Sequence, residues 1–429
     1  MKILIHGGKL VDPAAKAVTE ADLRIENGKI AGTGSDPSFQ PDREIDASGC
    51  YVMPGFIDLH VHLRDPGQTY KETVETGCAA AAAGGFTTIF AMPNTKPVAD
   101  GPEVIRYVED KAKAFGKTRV HQIGSVTMGQ EGKELADYPG MQQAGCIAIS
   151  EDGKSVMDSG VYREAMRYAA AHDLLIMAHC EDKNLVQGGV MNMDEKAEEL
   201  GLKGISNAVE DIIVARDILL AKETGCRLHL CHCSTADSVR MVQAAKKDGV
   251  RVTAEVCPHH FSLCTDDIPE NDGNYKMNPP LRSKEDRDTL RYGLSQGIMD
   301  AISTDHAPHA PEEKNCPMEK ASFGIVGLET AACLTWTNLV ETGYLTPLQM
   351  AEKMSLNPAR IAKIPGGSLG AGNVADITII DTEHTYTIAP SEFASKGRNT
   401  PFAGQQVRGR VLYTIRDGEV IFEKGEQHD

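Results

Sequence analysis

The segment Asp58-Leu59-His60-Val61-His62 ends an apolar run with two histidines two residues apart. In an extended segment such side chains fall on the same side, where they can chelate one metal ion. Polar groups stop four further apolar runs in the same way: Ser150-Glu151-Asp152-Gly153, Ala178-His179, Cys231-His232-Cys233 and Ser303-Thr304-Asp305-His306. Together these supply His60, His62, His179, His232, Asp152 and Asp305, the imidazole and carboxylate ligands of catalytic zinc sites. Near neutral pH imidazole is neutral and carboxylate ionised, the forms that bind metal. A single histidine at a strand end is ordinarily structural. Six such residues over five strand ends, where packing would call for Val, Ile or Leu, read jointly as a metal centre.

Eight apolar runs must position these groups: Phe56–His60, Thr87–Met92, Val120–Ser125, Cys146–Ser150, Leu174–His179, Arg227–His232, Val250–Val256 and Ala301–Asp305. Each precedes a helical pattern or a long loop. Eight strand-then-helix units predict an α/β fold, a TIM-like (β/α)8 barrel, with the ligands at the carboxyl ends of its strands. A doubly wound open sheet is the weaker reading, because no GxGxxG turn follows the first strand.

The two chain ends differ from this core. Lys2–His6, Leu23–Glu26 and the Asn27-Gly28 turn read as short strands and a hairpin, and so do Asp376–Asp381, Val411–Ile415, Asp417-Gly418 and Val420–Phe422. Their similarity predicts one small β domain built from residues 1–54 and 365–429, beside a catalytic barrel of residues 55–364. Only Glu423–Asp429 reads as a tail.

Other chemistries fit less well. Cys180, Cys231 and Cys233 adjoin histidines, but strand alternation would turn Cys231 and Cys233 away from the side that His232 faces, as buried structural thiols. His259 and His260 read as supporting or structural groups. The glycine pairs Gly84-Gly85, Gly188-Gly189 and Gly366-Gly367 lack the Lys and Ser/Thr of a phosphate loop.

The 429 residues carry 44 Lys and Arg against 61 Asp and Glu, a net charge of −17, which argues against nucleic acid or an anionic membrane as partner. A pocket's local field can still oppose that balance and take a small anionic substrate. Eleven cysteines, an odd number without a CxxC pair, and a start without the apolar core of a signal peptide predict reduced thiols and a cytoplasmic location. No apolar stretch is long enough to span a membrane.

The longer motifs resemble a known family. Asp58-Leu59-His60-Val61-His62-Leu63-Arg64-Asp65-Pro66-Gly67 continues into Tyr70-Lys71-Glu72-Thr73, Ala82-Ala83-Gly84-Gly85-Phe86-Thr87-Thr88 and Met92-Pro93-Asn94-Thr95. Later come Met277-Asn278-Pro279-Pro280-Leu281-Arg282, Ser303-Thr304-Asp305-His306-Ala307-Pro308-His309 and Ser355-Leu356-Asn357-Pro358-Ala359-Arg360. In order and over the whole chain these resemble the dihydroorotases of the amidohydrolase superfamily, in the longer form with its own β domain.

The resemblance implies that His60, His62 and Asp305 hold one metal, that His179 and His232 hold a second, and that Asp152 bridges them. The cofactor would be Zn²⁺, one or two ions per chain, with two preferred. Many superfamily members bridge with a carboxylated lysine; here Asp152 occupies that place and Lys154 is near. Arg64, Asn94 and His309 match the positions that grip the substrate's α-carboxylate, and Asn278, Phe323 and Gly324 those beside the pyrimidine ring. Asp305 would be the catalytic proton carrier in the interconversion of N-carbamoyl-L-aspartate and L-dihydroorotate. The resemblance also implies a homo-oligomer, a dimer, and association with aspartate transcarbamoylase. The rival readings are an allantoinase- or dihydropyrimidinase-like hydrolase and a non-catalytic scaffold. Residues 310–322, after the eighth strand, would be placed to act as a lid.

Overall fold

A computed structural model describes residues 1–425; residues 426–429 of the expected tail lie outside the described residues, and Glu423 instead ends the last strand, Glu419–Glu423. All eight expected core strands are present: β1 (Phe56–Val61), β2 (Phe86–Ala91), β3 (Arg119–Gln122, continued by Gly124–Ser125), β4 (Ala148–Ser150), β5 (Leu175–Ala178), β6 (Arg227–Leu230), β7 (Val252–Val256) and β8 (Ala301–Ile302). They pair in parallel and in sequence order, β1 with β2 through to β7 with β8. A parallel bridge between Val61 and His306, with the His62 amide donating to the His306 carbonyl at 2.8 Å, joins the last unit to the first and closes the barrel.

Most strands differ by a residue or two from the expected spans, and two depart further. β3 is interrupted at Ile123, where pairing passes from β2 to β4; the Gln122 side chain there donates from Nε2 to the carbonyls of Ala91, Met92 and Ile123. β8 has two residues rather than five. The Asp58 carboxylate accepts from the Thr304 amide (3.1 Å) and hydroxyl (2.6 Å), and Asp305 takes a positive φ of 49°, so the chain leaves the extended form at that point.

Helices cover the barrel. The first, Val74–Ala83, starts at a reciprocal capping box between Thr73 and Thr76. Its alanines permit close approach, and at Gly84 a Cβ would lie 2.1 Å from the Leu328 carbonyl oxygen, so only glycine fits. Strand and helix side chains share one large buried cluster that includes Phe56, Phe86, Ile89, Ile149, Leu228, Leu290 and Leu328.

The termini meet in antiparallel and mixed sheets. The strand Ile377–Asp381 lies between Cys50–Pro54 and Arg410–Arg416, which places residues some 330 positions apart in one six-stranded sheet. A four-stranded sheet contains Lys2–His6 and the hairpin Leu23–Glu26 to Lys29–Thr33, turned by Asn27 and Gly28 at φ 51° and 78°, as the type I′ signal requires. Ile3, Ile5, Ile25, Val52, Ile377, Ile379 and Ile415 form a common core between them.

Arg119 ties this β region to the barrel, donating to Thr88 (2.8 Å), Asp376 (3.1 Å) and Asp417 (3.0 Å). Burial raises the Asp376 carboxyl above its ordinary range, and Arg119 opposes that rise. Arg119→Met should therefore cost roughly 2 kcal/mol and lower the melting temperature by several degrees in calorimetry, with metal content unchanged. An unaltered melting temperature would show that Asp376 finds other compensation.

Candidate metal centre and substrate pocket

At the carboxyl ends of the strands all six expected ligands converge, each at most 6% exposed. Asp152 is their hub: one carboxylate oxygen lies 3.2 Å from His60 Nε2, 3.3 Å from His179 Nδ1 and 3.6 Å from His232 Nε2. The other lies 3.5 Å from His62 Nε2, and Asp305 approaches His62 Nε2 at 3.0 Å and His60 Nε2 at 3.5 Å. Four tetrahedral ligands about 2 Å from an ion stand roughly 3.3 Å from one another, so these separations suit direct coordination. Two groupings drawn from the six overlap at His60, namely His60, His62 and Asp305, and His60, Asp152 and His232, and His179 belongs to neither.

The donor atoms are held ready for a metal. His60 Nε2 is fully buried without a hydrogen-bond partner, an orphaned lone pair aimed into the cluster. Its other nitrogen donates to Glu255 Oε1 at 3.1 Å, which fixes the tautomer. His62 Nδ1 donates to Asn94 Oδ1 (2.9 Å) and His179 Nε2 to Glu181 Oε2 (3.3 Å), leaving the opposite nitrogen of each ring facing the centre. Burial by itself would raise the Asp152 carboxyl, but His60, His179 and His232 hold it well below the ordinary carboxylate range. Asp305, likewise buried, is held at about 2 by His62 and His60. Both carboxylates are thus ionised. The donor set fits a metal ion.

Lys154 takes no part, because its ammonium donates to the Gln130 carbonyl at 3.1 Å. Cys231 is a correction to the alternation argument. β6 ends at Leu230 and His232 has a φ of 36°, so alternation fails there, and Cys231 lies beside His60 and Glu255 rather than away from them. Burial pushes its thiol up to about 12, so with no cation beside it the thiol stays neutral. His260 donates to the Pro279 carbonyl at 2.9 Å, a structural role.

Beside the centre opens a cavity of about 280 Å³, lined by Arg64, Asn94, Asn278, Phe323 and Gly324 together with His62, Asp152, His179, Glu181, His232 and Asp305. It fits a small molecule, not a polymer. Arg64, at φ 59°, donates from Nε to the Pro308 carbonyl (3.2 Å) and brings Nη2 to 3.3 Å from His309 Nε2. Gly324 could not be replaced here: its φ is 126° and a Cβ would lie 2.6 Å from that of Ala307. Asn94 lines the cavity, but its amide already joins His62 to Asp152, donating to the latter at 3.3 Å.

The motif reading gives three neighbouring groups no role. Glu181 follows His179, holds that ring and accepts from Asn278 Nδ2 at 2.9 Å. Glu255 accepts from His60 Nδ1, His229 Nε2 (2.9 Å) and the His232 amide (3.3 Å). Lys71 contacts His309 from behind. A fully buried glutamate inside the apolar run Val250–Val256 was the one available signal.

A model of the family described as dihydro-orotase-like matches residues 49–238. The chain is 50% identical to the dihydroorotases of Pelotomaculum thermopropionicum and Listeria innocua over 423 residues, covering 99% of each chain, and 47% identical to that of a Geobacillus species over the full length of both. Among solved structures it superposes on the L-hydantoinase (dihydropyrimidinase) of Arthrobacter aurescens with a TM-score of 0.88 at 30% identity, covering 99% of this chain and 96% of that one. The dihydropyrimidinase of Brevibacillus agri shares the fold at a TM-score of 0.83 and 23% identity, over 99% and 95% of the two chains.

Removing the hub behind His60 tests the support of the centre. Glu255→Gln should fold, yet bind metal about 10- to 100-fold more weakly in competition with a chelator. Affinity equal to that of the parent would show that the ligands are held without it.

Proposed function

We propose a reaction from one premise: the chain belongs to the dihydroorotase family of the amidohydrolase superfamily. It is a cyclic amidohydrolase, and the reaction is the reversible interconversion of N-carbamoyl-L-aspartate and L-dihydroorotate in pyrimidine biosynthesis. The observation that carries this reading is the cationic Arg64 beside the six-ligand cluster in one small cavity. His60, His62 and Asp305 would hold one Zn²⁺, His179 and His232 a second, with Asp152 between them. Zinc held there would polarise the scissile carbonyl and acidify a water.

The chain's own groups do the rest. Arg64 offers a planar, permanently charged fork to the α-carboxylate, with His309 and Asn94 beside it. Asn278 and the backbone at Phe323-Gly324 border the ring, so the amide carbon faces Asp305. During hydrolysis Asp305 accepts the proton of the attacking water and delivers it to the departing ring nitrogen. In ring closure it takes the ureido proton instead. One carboxylate serves both steps because they are sequential.

Residues 1–54 with 365–429 form the β domain in this reading, and 55–364 the catalytic barrel. We place the enzyme in the cytoplasm as a dimer able to associate with aspartate transcarbamoylase. Among the described residues no helix is long and apolar enough to cross a membrane. An allantoinase or dihydropyrimidinase activity is less supported, because the full-length relatives near 50% identity are dihydroorotases.

Asp305→Asn should retain fold and part of its metal but lose about 10²- to 10⁴-fold in kcat on dihydroorotate; near-parental turnover would remove it from proton transfer. Arg64→Ala should raise KM by about 10- to 100-fold, with no gain on dihydrouracil. An unchanged KM would show that another group holds the carboxylate.

A further inference from the structure

Lys314 is 1% exposed, and among the described residues no carboxylate forms an ion pair with its ammonium. A charge so placed is costly to bury and is kept only where its hydrogens all find partners. Here they do: Nζ donates to the carbonyls of Lys276 (2.9 Å), Ser322 (2.8 Å) and Gly324 (2.8 Å). Three carbonyl oxygens that converge on one point repel one another unless a group with three donors stands between them. An ammonium supplies three, an amide only two, and the planar Arg fork cannot turn its donors to one such point. Burial, then the charge of Lys276, pulls this ammonium down to about 7, so below that pH it carries all three donors.

These contacts join two stretches that line the substrate cavity. Phe323 and Gly324 form part of its wall, and Asn278, another part, stands two residues beyond Lys276. The Gly324 amide donates to the Lys276 carbonyl at 3.0 Å, and the Gly273 amide to the Cys316 carbonyl at 3.1 Å. Lys276, 5% exposed, ties the same stretches from the other side. Its Nζ donates to the Met318 carbonyl (2.6 Å) and sits 4.3 Å from the centre of the Phe323 ring. Gly273 lets the two stretches approach, since a Cβ there would collide with the Lys314 carbonyl oxygen. Residues 310–322, which stand in the place of a lid, are thus fastened from inside. Their anchor, the Lys314 side chain, lines no part of the cavity.

We propose that Lys314 is a positioning residue for substrate binding: by holding the Ser322 and Gly324 carbonyls against that of Lys276, it keeps the Phe323-Gly324 wall in the arrangement that accepts the ring. This rests on the reading that the cavity takes a cyclic amide. Without the ammonium the wall opens, and substrate binds only the closed fraction. Apparent affinity falls by that fraction, whereas the bound complex, closed again, turns over as before. The loss appears in KM and not in kcat.

The test compares metal-loaded parent, Lys314→Met and Lys314→Gln at pH 6, by hydrogen exchange with and without dihydroorotate and by kinetics on it. In Lys314→Met the Ser322 and Gly324 amides should exchange about tenfold faster or more, with β1–β8 unchanged. Saturating dihydroorotate should restore their protection. KM should rise about tenfold and kcat stay within about twofold. Lys314→Gln, with two donors, should lie between parent and Lys314→Met. Unaltered exchange or unaltered KM in Lys314→Met overturns the proposal, and so does a fall in kcat that matches the rise in KM. If Lys314→Met does not fold, Lys314→Gln decides, and parental exchange or parental KM in it overturns the proposal. A parent that leaves dihydroorotate untouched overturns the reading of the cavity instead, and is told apart because exchange without substrate still reports the wall.

Discussion

Asp152 carries a negative charge with only 3% of the residue exposed to water. A carboxylate so enclosed must either take up a proton or be surrounded by compensating groups. Here four imidazoles surround it, with Asp305 opposite. Among the described residues no lysine or arginine forms an ion pair with either carboxylate, and three of the rings that face them, His60, His62 and His179, present lone pairs while their far nitrogens are held by Glu255, Asn94 and Glu181. A divalent cation resolves both shortages at once, supplying charge to the carboxylates and an acceptor for the lone pairs. The rest of the site follows from keeping those six groups in register.

The fold achieves this by closing on itself. The Val61–His306 bridge brings the first and last barrel units together, so that His60 and His62 meet Asp305, 243 or more residues away in sequence. The backbone is bent where the strands release their ligands. His232, Asp305 and Arg64 all have positive φ, a conformation that non-glycine residues seldom adopt and that concentrates at functional sites. Asp58 and Glu255 hold the backbone at these points through Thr304, His60 and His232. Rigidity in the second layer thereby becomes aim in the first.

Much of this was legible in the residues alone. Eight apolar runs and the polar groups that end them marked the barrel and the six side chains that converge at its carboxyl end, because both signals are local. Asn27-Gly28 announced its hairpin for the same reason. What depends on partners distant in sequence was not legible. The shortening of β8 comes from Asp58, 246 residues away from Thr304, and the position of Cys231 follows from a bend after Leu230 that no periodicity records. Glu255 stands inside an apolar run and Lys71 inside a longer motif, and neither place discloses that folding sets them against His60 and His309. Asn94 illustrates the converse, since its place in a motif did not disclose that its amide would be shared between His62 and Asp152.

The central claim is that these six side chains assemble one catalytic metal centre. Anomalous diffraction at the zinc absorption edge, from crystals of active enzyme, tests it most directly. The account predicts two peaks flanking Asp152, one touching His60, His62 and Asp305 and the other His179 and His232. An active enzyme with no anomalous peak within coordinating distance of Asp152 at the edge of any metal it contains would contradict it.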